Sequence, residues 1–186
     1  MRLGACGRLA RRPLTGHWFR AVRLRHWRSR LDTEHSRTAK SRFSAATAAN
    51  PLFRVLYLGE TDQLAIHEVG ALLGDPASPI ANPKGSWALL NLSVVLDNVV
   101  NLADRAQQRI IGTNDSELTG SWVDTAGVAP TQALGLALYD LPALEGFIYK
   151  SSRLNSLCLA VFPEKLGPRS SIAFDNEITG KAERLV

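Results

Sequence analysis

The stretch from Phe53 to Val69 constrains the fold most, because a strand-like run is followed directly by residues at helical spacing. Phe53 to Leu58 is rich in aromatic and β-branched residues, which predicts a buried strand. Apolar side chains then recur between Leu64 and Leu73 with the spacing of one helix face, and Asp62 is placed to cap that helix. The pattern predicts a strand and a helix that pack on each other.

Glu68 interrupts this apolar helix. It lies four residues after Leu64 and four before Leu72, which places it on or beside the face that packs against the strand. An ionised acid in such a position is costly unless it is paired. Two interpretations follow: a structural acid neutralised by a nearby arginine, or a catalytic acid that stabilises a developing positive charge in a cleft.

Other segments predict a mixture of strands and helices in a single domain. The apolar patterns predict strands at Trp18 to Val22, Trp87 to Val95, Phe147 to Tyr149 and Leu157 to Phe162, and helices at Ala106 to Ile111 and Pro130 to Tyr139. The 186 residues suffice for one hydrophobic core, and a second full domain would be hard to fit.

The positive charge is concentrated at the start of the chain. Residues 1–42 hold twelve Lys and Arg against Asp32 and Glu34, whereas residues 43–186 hold ten against fifteen acids. Three interpretations fit this basic segment: a nucleic-acid-binding arm, a targeting segment, or a phosphate-binding edge preceded by a solvated tail.

The remaining composition argues against several classes of site. Cys6 and Cys158 are far apart in sequence, so no disulfide framework is indicated and a reducing compartment is expected. The four histidines, His67 among them, fall singly without the close ligand spacing of a zinc motif, so we expect no metal. No run of about eighteen apolar residues occurs, so the chain is not expected to span a membrane.

Several short motifs occur in a specific order. An aromatic–arginine pair at Phe19-Arg20 precedes Arg42-Phe43, the strand that carries Tyr57, and the Ala65-Ile66-His67-Glu68-Val69 helix. Further on lie Trp122, a Pro-Thr-Gln-Ala-Leu-Gly helix at residues 130–135, and Gly-Phe-Ile-Tyr-Lys-Ser-Ser-Arg at residues 146–153. In order and spacing this set resembles the RES-domain family, and the resemblance runs from about residue 16 to about residue 174.

The resemblance implies a fold and a function. RES domains are toxins of type II toxin–antitoxin systems with a compact α+β fold, in which helices flank a central mixed or antiparallel sheet, similar to ADP-ribosyltransferases. They degrade NAD+, which would be the substrate here, with water or inorganic phosphate as the acceptor and no metal. The implied organisation is a disordered basic leader at residues 1–15 and an NAD-binding catalytic domain at residues 16–186. The implied partner is a helix-turn-helix antitoxin in the bacterial cytoplasm, and the implied assembly is a homodimer or a toxin–antitoxin hetero-oligomer.

Carried over motif by motif, the resemblance implies that five residues line the NAD pocket. They are Arg20, Arg42, Tyr57, Glu68 and Ser151, with Ser152 as the alternative holder of the serine position. The residue types suit the chemistry, because a carboxylate stabilises a ribosyl cation and a guanidinium matches the planar oxygens of a diphosphate. Glu68, Arg42 and Ser151 would then be catalytic, and Arg20, Arg42, Tyr57 and Ser151 would bind NAD+.

Each assignment has a plainer alternative. Arg20 and Arg42 could belong to a solvated basic surface, Tyr57 could be a core residue, and Ser151 could simply stabilise a turn at a strand end. Two other functions also fit. One is transfer of ADP-ribose to a macromolecule, and the other is nucleic-acid binding through residues 1–45, with Trp18 and Trp27 as stacking surfaces. With the family resemblance, direct nucleic-acid binding is not expected.

Overall fold

The computed structural model describes residues 1–73, 78, 80–83, 85–123, 125–176 and 180–185. Its strands are β1 (Arg11–Arg23), β2 (Leu56–Gly59), β3 (Leu72–Leu73), β4 (Ile80–Ala81), β5 (Trp87–Asn101), β6 (Gly146–Lys150), β7 (Leu157–Val161), β8 (Ser171–Asn176) and β9 (Lys181–Leu185). The α-helices are α1 (Asp62–Glu68), α2 (Arg105–Ile111), α3 (Asp115–Thr119) and α4 (Pro130–Tyr139). Short 3₁₀ helices occupy Leu3–Arg8, Leu24–Ser29, Glu34–Arg37 and Pro163–Lys165.

Seven strands form one mixed sheet in the order β1-β2-β7-β6-β5-β8-β9. Pairing is antiparallel throughout except between β5 and β6, which run parallel. The long strand β5 also pairs with β1, from Arg11 opposite Val100 to Arg23 opposite Trp87. Strands β1, β2, β7, β6 and β5 therefore form a closed ring of hydrogen-bonded strands. The α+β class predicted from the sequence is confirmed.

The central strands are buried on both faces, because their side chains alternate between two apolar clusters. Phe147 and Tyr149 of β6 pack into the first cluster with Phe43 and Leu134, whereas Ile148 packs into the second. Strands β2 and β7 alternate in the same way. Helix α4 covers the first cluster with Leu134, among others. Burying one leucine side chain contributes about 1.5–3 kcal/mol to the stability of the fold.

The N-terminal segment differs from the disordered leader expected at residues 1–15. Leu3–Arg8 form a 3₁₀ helix whose Cys6 is 2% exposed, and Leu9 is also buried in the first cluster. Strand β1 then begins at Arg11. From Arg11 onward, pairing with β5 provides hydrogen-bond partners for the backbone, and the arginine side chains of residues 1–15 lie exposed or half-buried at the surface.

Helix α1 is shorter than its apolar spacing suggests. Its N-cap is Thr61, whose hydroxyl accepts from Leu64 N at 3.1 Å, and not Asp62 as predicted. The helix ends at Glu68 because Gly70, with φ of 69°, turns the chain, and residues 72–73 form β3 instead. Glu68 therefore stands at the C-terminal end of the helix. None of the helices in the described ranges is long and apolar enough to cross a membrane.

Candidate active site

A cleft of about 890 Å³ lies between the end of β1, strand β2 and helix α1. Four of the predicted site residues line it: Arg20, Arg42, Tyr57 and Glu68. Ser152 lines it as well, and Ser151 reaches it through its bond to Glu68. A volume of this size is typical of sites for nucleotide-sized ligands.

Glu68 is exposed at the cleft and is not packed against the strand as its spacing suggested. Its Oε1 accepts a hydrogen bond from Ser151 Oγ at 2.7 Å and lies 3.9 Å from Cys158 Sγ. Among the described residues no lysine or arginine forms an ion pair with it. The structural ion pair considered from the sequence is therefore not what holds this acid.

The Ser151 hydroxyl is fixed by its neighbours. It accepts from Arg153 N at 2.9 Å and from Leu154 N at 3.4 Å in the turn after β6. Because a hydroxyl has one proton and these contacts use its lone pairs, the proton is directed to Glu68. The same hydroxyl oxygen thus stabilises the turn and contacts the acid.

Arg42 is half-buried and is held by backbone carbonyls near the end of α3. Its Nη1 donates to Leu118 O at 3.1 Å and to Gly120 O at 2.7 Å, and its Nη2 donates to Ser152 Oγ at 3.3 Å. A guanidinium has five N–H groups, so two remain for a ligand in the cleft. The two neighbouring serines thus contact opposite charges, Ser151 the acid and Ser152 the arginine.

The turn that carries Arg42 rests on helix α4 through a buried glutamine. Gln132 is 1% exposed; its Oε1 accepts from Ala129 N at 2.9 Å, and its Nε2 donates to Ser41 O at 2.9 Å and to Ser44 O at 3.4 Å. Gly135 allows helix α4 to pack closely against this turn, because a Cβ at this position would lie only 1.9 Å from Phe43 O. Gln132 therefore supports the site and does not line the cleft.

Tyr57 projects from β2 into the same cleft. Its hydroxyl lies 2.8 Å from Ser41 Oγ, so the turn that positions Arg42 also positions this ring. Burial raises the pKa of Tyr57 to about 12. The phenol is neutral at physiological pH and remains available as a hydrogen-bond donor.

Arg20 approaches the cleft from β1. Its Nη2 donates to Asp32 O at 3.4 Å, while its buried Nη1 has no partner among the described residues. Burial lowers the pKa of Arg20 to about 10, against the opposite effect of the Asp32 carboxylate. The group is protonated at neutral pH and has an unsatisfied donor, which an anionic ligand would complete.

Sequence reasoning missed several lining residues. Cys158 and Tyr149 lie beneath Glu68, and burial, followed by the Glu68 carboxylate, raises the pKa of the Cys158 thiol to about 12. The half-buried Trp122, one of the motif residues, also lines the cleft. Arg23 and Trp87, which the motifs do not include, line it as well. Their apolar or strand-end sequence contexts carry no signal, because pairing between distant strands brings them to the cleft.

In the described ranges no three His, Cys, Asp or Glu side chains are grouped to hold a metal ion.

Comparison with known proteins agrees with this geometry. The structure is similar to a chain of the solved M. tuberculosis MbcT–MbcA toxin–antitoxin complex, with a TM-score of 0.72 and 18% identity over 99% of this chain and 91% of that chain. At this identity the likeness establishes the fold. No curated protein matches the sequence. The family profile of the RES domain matches residues 15–177, which is most of the sequence. The chain therefore belongs to the RES domain family.

Proposed function

We propose that this protein is a toxin that cleaves the nicotinamide–ribose bond of NAD+. The observation that carries the proposal is the Glu68 carboxylate, which lies in the cleft without a cationic partner among the described residues and is oriented by Ser151 at 2.7 Å. Membership of the RES domain family supports it.

The chemistry requires a negative group at this point. As the bond from C1′ of the ribose to the nicotinamide nitrogen breaks, its electron pair neutralises the pyridinium, and the ribose acquires oxocarbenium character. The Glu68 carboxylate stabilises that charge, and the Ser151 hydroxyl keeps it in place. A water oxygen then bonds to C1′ and releases a proton, or an anionic oxygen of inorganic phosphate bonds to C1′ instead. Nicotinamide leaves as a neutral molecule, so no acid is needed to protonate it.

Two guanidinium groups are suited to the diphosphate of NAD+. Arg42 keeps two unused N–H groups, and Arg20 has a buried nitrogen without a partner in the described part of the chain. Charge-assisted bonds from guanidinium to phosphate oxygens are stronger than neutral ones. Tyr57, fixed by Ser41, would pack against the nicotinamide ribose.

The biological setting is proposed from the same relationships. Loss of cellular NAD+ would arrest growth, so the protein would act in the bacterial cytoplasm and would need an antitoxin. The similarity to a chain of a toxin–antitoxin complex supports such a partner. We propose that it is a helix-turn-helix protein forming a hetero-oligomer with the toxin or with a toxin homodimer. Exposed Val69 and Val123 at the cleft offer it an apolar contact surface. We also propose that the fold is related to that of ADP-ribosyltransferases.

The nucleic-acid alternative loses its stacking surfaces. Trp18 is 6% exposed and lies in the second apolar cluster, and the half-buried Trp27 packs edge-on against Phe174 with ring centroids 5.8 Å apart.

Transfer of ADP-ribose to a macromolecule uses the same cation and differs only in the acceptor. Mass spectrometry of a cell extract incubated with the protein and NAD+ separates the two, because only transfer leaves covalent adducts.

The decisive experiment measures NAD+ consumption by the purified protein, with and without inorganic phosphate, and resolves nicotinamide from the ADP-ribose products. Glu68→Gln is the matched control, since it keeps the side-chain shape and removes the charge. We expect a loss of about a hundredfold to a thousandfold in rate. A dependence on phosphate would define a phosphorylase, and turnover without it a glycohydrolase. If folded wild-type protein left NAD+ intact under both conditions, the proposal would be wrong.

A further inference from the structure

We propose that Arg23 and Trp87 form the subsite for the adenosine end of the dinucleotide. This inference rests on the proposed function and assigns to two residues outside the family motifs a role in selecting the substrate. It follows from the order in which charged and aromatic groups occur along β1.

The cleft runs along the end of β1, since residues 19–23 all line it. Glu68 can be located on this strand through the sheet: its carboxylate lies 3.9 Å from Cys158 Sγ, Cys158 pairs with Gly59, and Gly59 pairs with Phe19. The acid therefore stands at the level of Phe19. Arg20 is the next residue along, and Arg23 lies four residues beyond Phe19, at about 13 Å for a rise of about 3.3 Å per residue.

This order matches the order of groups in the substrate. The diphosphate of NAD+ lies between the nicotinamide ribose and the adenosine. With the nicotinamide ribose at Glu68 and the diphosphate at Arg20, the adenosine extends toward Arg23. Phe19 and Arg23 lie on one face of β1 and Arg20 on the other, but all three line the cleft. Along the strand direction the cleft therefore offers the level of the acid, then a phosphate-binding guanidinium, then a second guanidinium.

Arg23 and Trp87 suit a purine nucleoside. They are partners in the β1–β5 ladder, and the Arg23 guanidinium lies over the indole ring of Trp87 at 5.1 Å. Within the described residues the Arg23 side chain forms no hydrogen bond and no ion pair, and Trp87 Nε1 has no hydrogen-bond partner. Nucleobases stack on indole rings and on guanidinium planes, and both surfaces are present here.

The other tryptophan of the cleft, Trp122, is close in sequence to the segment that holds Arg42. Trp122 follows Gly120, whose carbonyl accepts from Arg42 Nη1 at 2.7 Å, and Arg42 contacts Ser152 beside the serine that holds Glu68. Trp122 therefore lies within two residues of a carbonyl that holds Arg42. Trp87 is the tryptophan of the cleft that contacts Arg23, so the adenine is assigned to this pair.

The test compares NAD+ with nicotinamide mononucleotide, which has the same scissile bond and no adenosine. Trp87→Leu and Arg23→Gln are assayed separately, with Leu89→Ala as the matched control, because Leu89 is exposed on the same strand and does not line the cleft. Loss of one stacking surface should lower kcat/KM for NAD+ by about tenfold to a hundredfold. Turnover of the mononucleotide should stay within about twofold of wild type.

Arg23→Gln removes the charge at a half-buried surface position and so tests the subsite even if Trp87→Leu does not fold. Equal losses of activity on both substrates would show that Arg23 and Trp87 only support the cleft. Unchanged NAD+ turnover in both variants would show that adenosine binds elsewhere. Either result overturns the inference while leaving the proposed function intact. A wild-type protein that cleaves neither compound refutes both.

Discussion

Replacing Ser151 by alanine should slow NAD+ cleavage without weakening substrate binding. The Ser151 hydroxyl donates to the Glu68 carboxylate at 2.7 Å, and hydrogen bonds to charged groups contribute about 1.5–3 kcal/mol. At about 1.36 kcal/mol per factor of ten, kcat should fall by about tenfold to a hundred-and-fiftyfold. KM should change little, because the bond positions the acid and does not contact the diphosphate.

Ser152→Ala is the matched control for this substitution. Ser152 Oγ accepts from Arg42 Nη2 at 3.3 Å, so its loss should raise KM by a few fold and leave kcat nearly unchanged. Ser151→Thr keeps a hydroxyl and should recover part of the rate. Steady-state kinetics of the three variants, with thermal unfolding to verify the fold, provide the data. If Ser152→Ala lowered kcat more than Ser151→Ala, Ser152 would hold the family's serine position and the argument from the Glu68 contact would be refuted.

Three further predictions concern the surroundings of the site. Because the pKa of Arg20 is lowered to about 10, raising the pH to 10 should neutralise about half of this group and raise KM for NAD+, and an Arg20→Ala variant should lack this part of the pH profile. With a pKa raised to about 12, the Cys158 thiol should stay protonated and resist alkylation by iodoacetamide at pH 8 in folded protein, whereas rapid labelling of the native state, detected by mass spectrometry, would contradict its burial. Gly135→Ala should lower the free energy of unfolding by about 1–3 kcal/mol in a denaturant titration, since the added methyl group would lie 1.9 Å from Phe43 O; a stability equal to wild type would show that α4 can shift freely.

The elements whose apolar pattern decides their packing could be predicted from the sequence. Helix α4 has the predicted bounds Pro130–Tyr139, and the predicted strand at Leu157 to Phe162 matches β7 to within one residue. These segments are buried, so their side-chain periodicity reflects the structure directly. The apolar spacing predicts a longer helix α1 than the structure has, because Leu72 and Leu73 continue the helical pattern although Gly70 turns the chain before them.

The long-range features could not be predicted. The basic residues near the N-terminus suggest a solvated tail, yet β1 starts at Arg11 because twelve of its residues pair with β5, a partner far away in sequence. In the same way, no local pattern shows that the carbonyls of Leu118 and Gly120 hold Arg42, or that Gln132 supports its turn. The motifs indicated which residues to consider, but their mutual contacts depend on the whole sheet.

The contrast between Phe43 and Gly70 implies that the two sides of the cleft open at different rates. Phe43 is fully buried between Phe147 and Tyr149, with ring centroids 4.8 and 4.7 Å away, so the backbone beside Arg42 can be exposed only when the core itself unfolds. Glu68 ends a seven-residue helix and is followed by a glycine turn, so its backbone can open locally. Amide hydrogen exchange should accordingly be slow at Ser41 and Ser44, whose amides bond to each other's carbonyl in the turn around Arg42, and fast at the acid. A bound ligand will slow amide exchange mainly at the end of α1. Exchange at that helix end therefore reports whether the cleft is occupied.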